Sequence, residues 1–157
     1  MKPRVLPLKE LMVELEEEHD AISSAVSQAE NEVEKSNYQN GAEIFRKVVD
    51  LLSQHTIDEQ SSLLGYLIKK LGRDRSKRDI EIMRVQTQIM NLAKKISKTF
   101  AQGGRAEAAD IKNLRFLLMK QFMHEKALFE QASSFIDTEL KEEYFQEVDR
   151  YVNEGGK

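Results

Sequence analysis

The 157-residue chain contains no cysteine and no tryptophan, and only two prolines and seven glycines. The absence of cysteine excludes disulfides, thiolate zinc sites, iron–sulfur clusters and cysteine nucleophiles. Proline and glycine are too sparse for the many tight turns of an all-β fold. Neither sign of charge dominates, since 24 Lys and Arg stand against 27 Asp and Glu, for a net charge of −3. That balance gives no electrostatic reason to expect nucleic acid or a membrane surface as partner. No apolar run approaches the ~18 residues of a membrane span. The opening Met1-Lys2-Pro3-Arg4-Val5-Leu6-Pro7 lacks the apolar core of a signal peptide. A chain of about 150 residues can bury enough surface for one core. The expectation is therefore a cytoplasmic protein of one domain.

What the chain does have is helical periodicity. A first segment, about Leu8 to Lys35, carries Leu8, Leu11, Leu15, Ile22, Val26 and Val33 at helical spacing. It stops at the turn-forming cluster Ser36 to Gly41. A second, about Ala42 to Leu71, aligns Ile44 or Phe45 with Val48, Leu52, Leu63 and Leu67, and ends at Gly72 behind Lys69 and Lys70. A third, about Ser76 to Phe100, has Ile82, Val85, Ile89, Leu92 and Ile96, and breaks at Gly103-Gly104. A fourth, about Ala106 to Phe135, has Ile111, Leu114, Leu117 or Leu118, and Leu128. A shorter fifth, Glu139 to Val152, has Leu140, Tyr144, Val148 and Tyr151, and the tail to Lys157 is expected to fray. Long helices joined by short loops pack antiparallel. The spacing thus predicts an all-α, up-down-up-down four-helix bundle over residues 8–135 with a short C-terminal fifth helix and tail over 136–157.

A core stripe should be apolar, so its polar members carry information. His19 lies four after Leu15 and three before Ile22; His55 lies three after Leu52, Glu59 four after His55, and Leu63 four after Glu59. His124 lies seven after Leu117 and four before Leu128, which on that alignment faces it inward. If the first turn centres near Tyr38, antiparallel packing brings His19 and His55 to one level within about 3 Å. A third turn near Gly104 pairs His124 in height with Arg84, and a second turn near Arg73 pairs Glu59 with Thr87. Three imidazoles and a carboxylate from three helices thus converge on one layer. These are ligands of zinc and non-haem iron, and His-x-x-x-Glu sets two of them on one helix face. A buried Glu without a cation is expensive, so a metal accounts for Glu59. The alternative is a metal-free polar network in which the imidazoles share protons with Glu59 and with Gln86 or Gln121.

Leu15-Glu16-Glu17-Glu18-His19-Asp20-Ala21-Ile22, then His55-Thr56-Ile57-Asp58-Glu59 followed by Leu63-Leu64, resembles the hemerythrin-like (HHE cation-binding) family, as does Lys120 to Phe129 with its Glu125. The resemblance covers roughly residues 8–135 and implies a four-helix bundle around non-haem iron. It also implies oxygen binding, oxygen or redox sensing, iron handling or a response to nitric oxide. His19 matches the first-helix ligand, and His55 and Glu59 the second-helix His and bridging Glu. On the fourth helix Lys120 stands where the family has His, with His124 and Glu125 four and five positions later. The third helix has no His; Gln86 occupies that height, with Asp79 and Glu81 the nearest carboxylates. The expected metal ligands are His19, His55, Glu59, His124 and Glu125, holding mononuclear or dinuclear iron, or zinc.

The remaining signals read as surface. Lys69 to Arg78 is basic but contains Asp74 and no aromatics, which suits a solvated turn. The acidic run Glu14 to Asp20 lies mostly off the stripe and reads as a wet face. Gly103-Gly104-Arg105-Ala106 lacks the Lys-Ser/Thr of a phosphate loop. The fifth segment either packs back on the bundle or forms a homodimer face. Function then narrows to a metal-binding sensor or carrier with a small diatomic ligand, a metalloenzyme acting on a small oxidant, or a metal-free structural or interaction bundle.

Overall fold

A computed structural model describes residues 1–103 and 105–155. Of the expected turn at Gly103-Gly104 and the expected frayed tail, Gly104, Gly156 and Lys157 lie outside the described residues. Helix α1 spans Leu8–Glu34, α2 Tyr38–Asp58, α3 Gly65–Leu71, α4 Lys77–Ala101 and α5 Ala108–Gly155. Between α2 and α3 the backbone continues as a π-helix, Glu59–Leu64, so the two form one arm of the bundle. A 3₁₀ turn, Arg73–Arg75, leads into α4. The result is an all-α bundle of four arms, in which α1 packs on α2 and α5, and α4 on α2 and α5.

Local chemistry sets the corners. Ser36 at φ 63° ends α1, and Gly72 at φ 77° ends α3 in a conformation that a Cβ would resist. The Ser76 hydroxyl donates to the Gly72 carbonyl at 2.6 Å and fixes the entry to α4. Gly41 falls inside α2, not before it. A Cβ there would meet Val33 Cγ2 at 3.2 Å, so a glycine lets the first two helices approach closely.

The π-helix has a cause in the spacing. His55, Glu59, Leu63 and Leu67 follow one another by four, and each such step overshoots an α-helical turn by about 40°. An i→i+5 turn absorbs that drift and returns Leu63 and Leu67 to the core, where both are fully buried.

The interior is layered. One apolar cluster, around Ile22, Val26, Phe45, Val48, Ile96 and Leu114, fills the end nearest the α1–α2 turn. A second, around Leu11, Leu15, Leu63, Leu67, Ile82 and Leu128, fills the other end. Buried polar residues His55, Glu59, Gln86, Gln121 and Glu125 come from the arms that carry both clusters. The expected stripe on α4 shifts slightly: Gln86 and Ala93 are buried with Ile82, Ile89 and Ile96, while Val85 and Leu92 flank them.

The separate fifth helix is corrected. Helix α5 runs unbroken for 48 residues, because Ile136-Asp137-Thr138 contains no breaker. What changes after Phe135 is which face is apolar, and that change of phase reads in sequence like a boundary. No helix among the described residues is long and apolar enough to cross a membrane.

Candidate metal centre

His19 from α1, His55 from α2, Glu59 from the π-helix and Glu125 from α5 converge, each with a ligand atom within 4.8 Å of the others. Ligand atoms on opposite sides of an ion at about 2.1 Å stand about 4.2 Å apart, so a small contraction would close the set around one cation. His55, Glu59 and Glu125 are buried, and His19 is nearly so. His55 Nε2 lies 2.9 Å from Glu125 Oε1 and 3.0 Å from Glu59 Oε2. His19 Nε2 lies 3.5 Å from the same Glu125 oxygen.

Each imidazole is prepared differently. The other nitrogen of His55, Nδ1, lies 2.9 Å from Glu18 Oε2. A proton held on that side leaves Nε2 to face the cluster, the arrangement by which a carboxylate orients a ligating imidazole. Burial works against a charge on His55, yet its hydrogen bonds to Glu125 and Glu18 and the close Glu59 carboxylate outweigh burial and hold its pKa well above the ordinary imidazole value. His19 is stacked on Phe122 at 3.9 Å between ring centroids. Burial, reinforced by the charge on His55, pushes its pKa down to about 4, so it is neutral and ready to donate its lone pair. Burial first, and then the neighbouring Glu125 charge, push the Glu59 carboxyl well above the usual range.

The donor set fits a divalent metal. Two carboxylates balance a 2+ charge in a dry core, and two imidazoles supply nitrogen donors suited to iron or zinc. Among the described residues, His19 Nε2 and both oxygens of Glu59 are buried without a well-aligned hydrogen bond, although His55 Nε2 stands 3.0 Å from Glu59 Oε2. A cation would satisfy all three.

Behind the cluster lies a support that the sequence reading missed. Glu18 belongs to the acidic run whose pattern predicts a wet face, yet its carboxylate bridges His55 and the Arg4 guanidinium. Arg4 also holds Glu14 and the fully buried Asp58, whose oxygens accept from the Arg4 backbone N–H and Nε at 2.6 Å each. Gln54 ties down the same arm by donating to the Lys2 carbonyl at 3.0 Å. The available signal was the four-residue step from Glu14 to Glu18, which gives two carboxylates one face. Nothing in the pattern pointed to Arg4 as their partner.

His124 is not brought to the cluster. It is exposed, in a separate surface pocket of about 440 Å³ with Arg78, Arg84 and Lys120. Leu118, not Leu117, is the buried residue of that turn, so the inward stripe runs Leu114, Leu118, Gln121, Glu125, Leu128. His124 sits one residue, about 100°, off it. On the third arm Gln86 takes the expected height, accepting from Gln60 Nε2 at 2.9 Å. Asp79 is buried with Oδ2 unpartnered but outside the cluster, and Glu81 is exposed and paired with Arg84.

The chain is thus a four-helix bundle with a buried two-His, two-Glu cluster able to hold a metal ion, consistent at a coarse level with a hemerythrin-like architecture. No protein family, characterised protein or solved structure is significantly similar to it.

Proposed function

We propose that this chain is a hemerythrin-like metal protein, an up-down-up-down bundle whose core holds one non-haem iron, with zinc as the competing ion. Its role would be to sense or carry a small diatomic ligand such as oxygen or nitric oxide, or to report iron supply. The observation that carries this reading is the convergence of His19, His55, Glu59 and Glu125 within 4.8 Å of one another. Two carboxylates and two imidazoles make a thin shell for two metals, and Gln86 stands where a third-arm His would be needed, which favours one ion. Room for an added ligand is supported by a void of about 10 Å³ lined by His55, Gln86, Gln121 and Glu125, about the space one water needs. The bound metal would supply a redox-active or Lewis-acidic centre. The chain's own part is to orient the His55 imidazole through Glu18, keep His19 neutral, and exclude bulk water with Phe122 and Phe129.

Elemental analysis after anaerobic ferrous loading tests the reading. The expected result is about one iron per chain, lost in His19→Ala and Glu125→Ala and retained in His124→Ala. Loss of metal in the His124 variant would move the centre away from this cluster. No metal after either ferrous or zinc loading would leave a metal-free structural or interaction bundle.

Capture of the ion must also displace protons. His55 and Glu59 hold theirs to higher pH than usual, whereas ligation needs both groups bare. Acid therefore strengthens the competitor. Affinity is expected to fall as pH drops, with protons released as the ion binds, and to level off only above both raised pKa values. His19 adds its own competition only near its value of about 4. Calorimetric titration in buffers of different ionisation enthalpy counts the protons, and a pH-independent affinity would remove His55 and Glu59 from the ligand set.

A further inference from the structure

Beyond Glu139, which Lys70 and Tyr66 hold against α3, helix α5 leaves the bundle. Every residue from Leu140 to Glu154 is exposed, including Tyr144 at 63%, Tyr151 at 79% and Val152 at 63%. A free helix of this length is marginal in water, and its apolar side is left uncovered by the described residues. The same face of α5 continues upward along the bundle, where Met119 and Met123 are 54% and 71% exposed.

Residues on this face recur at helical steps of three and four. From Ala127 through Glu130, Ser134, Asp137 and Lys141 to Tyr144 the steps alternate three and four, and Met123 and Val148 extend the row by four at either end. The row is apolar at its ends and charged at its centre. Glu130, Ser134, Asp137 and Lys141 also line a groove of about 920 Å³ between α1 and α5.

We infer that this face pairs with a second copy of the chain as an antiparallel helix pair. Charge selects the arrangement. In parallel register Glu130 would meet Glu130 and Lys141 would meet Lys141, layer upon layer of like charge. In the antiparallel register Glu130 faces Lys141 of the partner subunit, and the two-fold axis makes that ion pair twice. Met123 then meets Val148 of the partner subunit, and Ala127 meets Tyr144 of the partner subunit. Asp137 is already neutralised by Lys9 at 2.7 Å. Pairing from Met119 to Val152 spans about 50 Å of helix and covers on the order of 800 Å² per copy, the size of a standard stable interface. None of these residues belongs to the buried cluster, so the inference stands whether or not the chain holds a metal.

Sedimentation equilibrium of the whole chain tests it with charge exchange. The wild type is expected at twice the 18.1 kDa chain mass. Lys141→Glu and Glu130→Lys, each placing like charges in contact, should raise the dissociation constant about tenfold or more. Combining the two should bring it back to within about threefold of wild type. Both positions are exposed, so folding is not at stake. In this cysteine-free background a mixture of Ala127→Cys and Tyr144→Cys chains should form a disulfide between unlike copies faster than either chain does alone. A wild type of single-chain mass at about 50 μM, or a dimer indifferent to both single changes, would overturn the inference.

Discussion

Glu59→Gln is expected to cost the protein its metal while leaving the metal-free fold as stable as before, or slightly more so. Glu59 is completely buried, neither of its oxygens has a well-aligned hydrogen bond among the described residues, and Glu125 stands beside it. In the absence of a cation, burial and that neighbouring charge favour the protonated, neutral carboxyl. A glutamine has the same shape, is neutral at every pH, and can donate its amide hydrogen to Glu125. Unfolding free energy should therefore change by no more than about 1 kcal/mol. The metal loses an anionic ligand, and affinity should fall on the order of 100-fold or more. Denaturant melts of metal-free protein and a competitive chelator titration read the two effects separately. A network kept only for stability predicts the reverse, namely loss of stability and no metal affinity to lose.

Arg4→Ala is expected to weaken the fold and the site together. The Arg4 guanidinium is the shared cation of Glu14, Glu18 and the fully buried Asp58. Truncation leaves the Asp58 carboxylate in the interior with Gln54 and the Arg4 backbone N–H as its remaining partners. It also frees Glu18 to leave the Nδ1 side of His55. Removing one member of a buried pair typically costs 3–5 kcal/mol. The Arg4 side chain is 31% exposed, so solvent screening reduces the expected loss to roughly 2 kcal/mol. Metal affinity should fall about tenfold, as when a residue behind a metal ligand is lost. Arg4→Lys should recover part of the stability and less of the affinity, because an ammonium cannot reach three carboxylates in a fixed fork. A stability change below about 0.5 kcal/mol with unaltered affinity would show that the arm rests on the bundle without supporting it.

Much of the site was legible because helices convert sequence spacing into position. His19, His55 and Glu59 each sit on a run of buried leucines, isoleucines and valines, so their direction follows from 100° per residue. Their common height follows from where the turns fall. The pairing of His19 with His55, ring centroids 4.9 Å apart, and of Gln60 with Gln86 obeys that arithmetic. His124 shows its weakness. Leu117 and Leu118 fit the pattern equally well in one dimension, and choosing the wrong one turned the stripe by a single residue. That was enough to bring the exposed His124 into the layer on paper, whereas of the two expected fourth-helix ligands only Glu125, carried by the family resemblance, enters it.

Local sequence therefore dictates the set of long amphipathic helices, their breaks near Ser36, Gly72 and the glycine pair, and the polar layer between apolar ends. These are properties of local periodicity and turn chemistry, which need no partner to be read. Packing of the helices selects which polar residue on each arm enters the layer. The fold also shows that an arginine in the N-terminal arm braces the first helix against the second, that four-residue spacing is accommodated by a π-turn at Glu59, and that α5 continues past the bundle. Those outcomes depend on contacts between residues far apart in the chain, Arg4 with Asp58 and His55 with Glu125 among them. Burial and charge balance select such contacts only after the helices have packed.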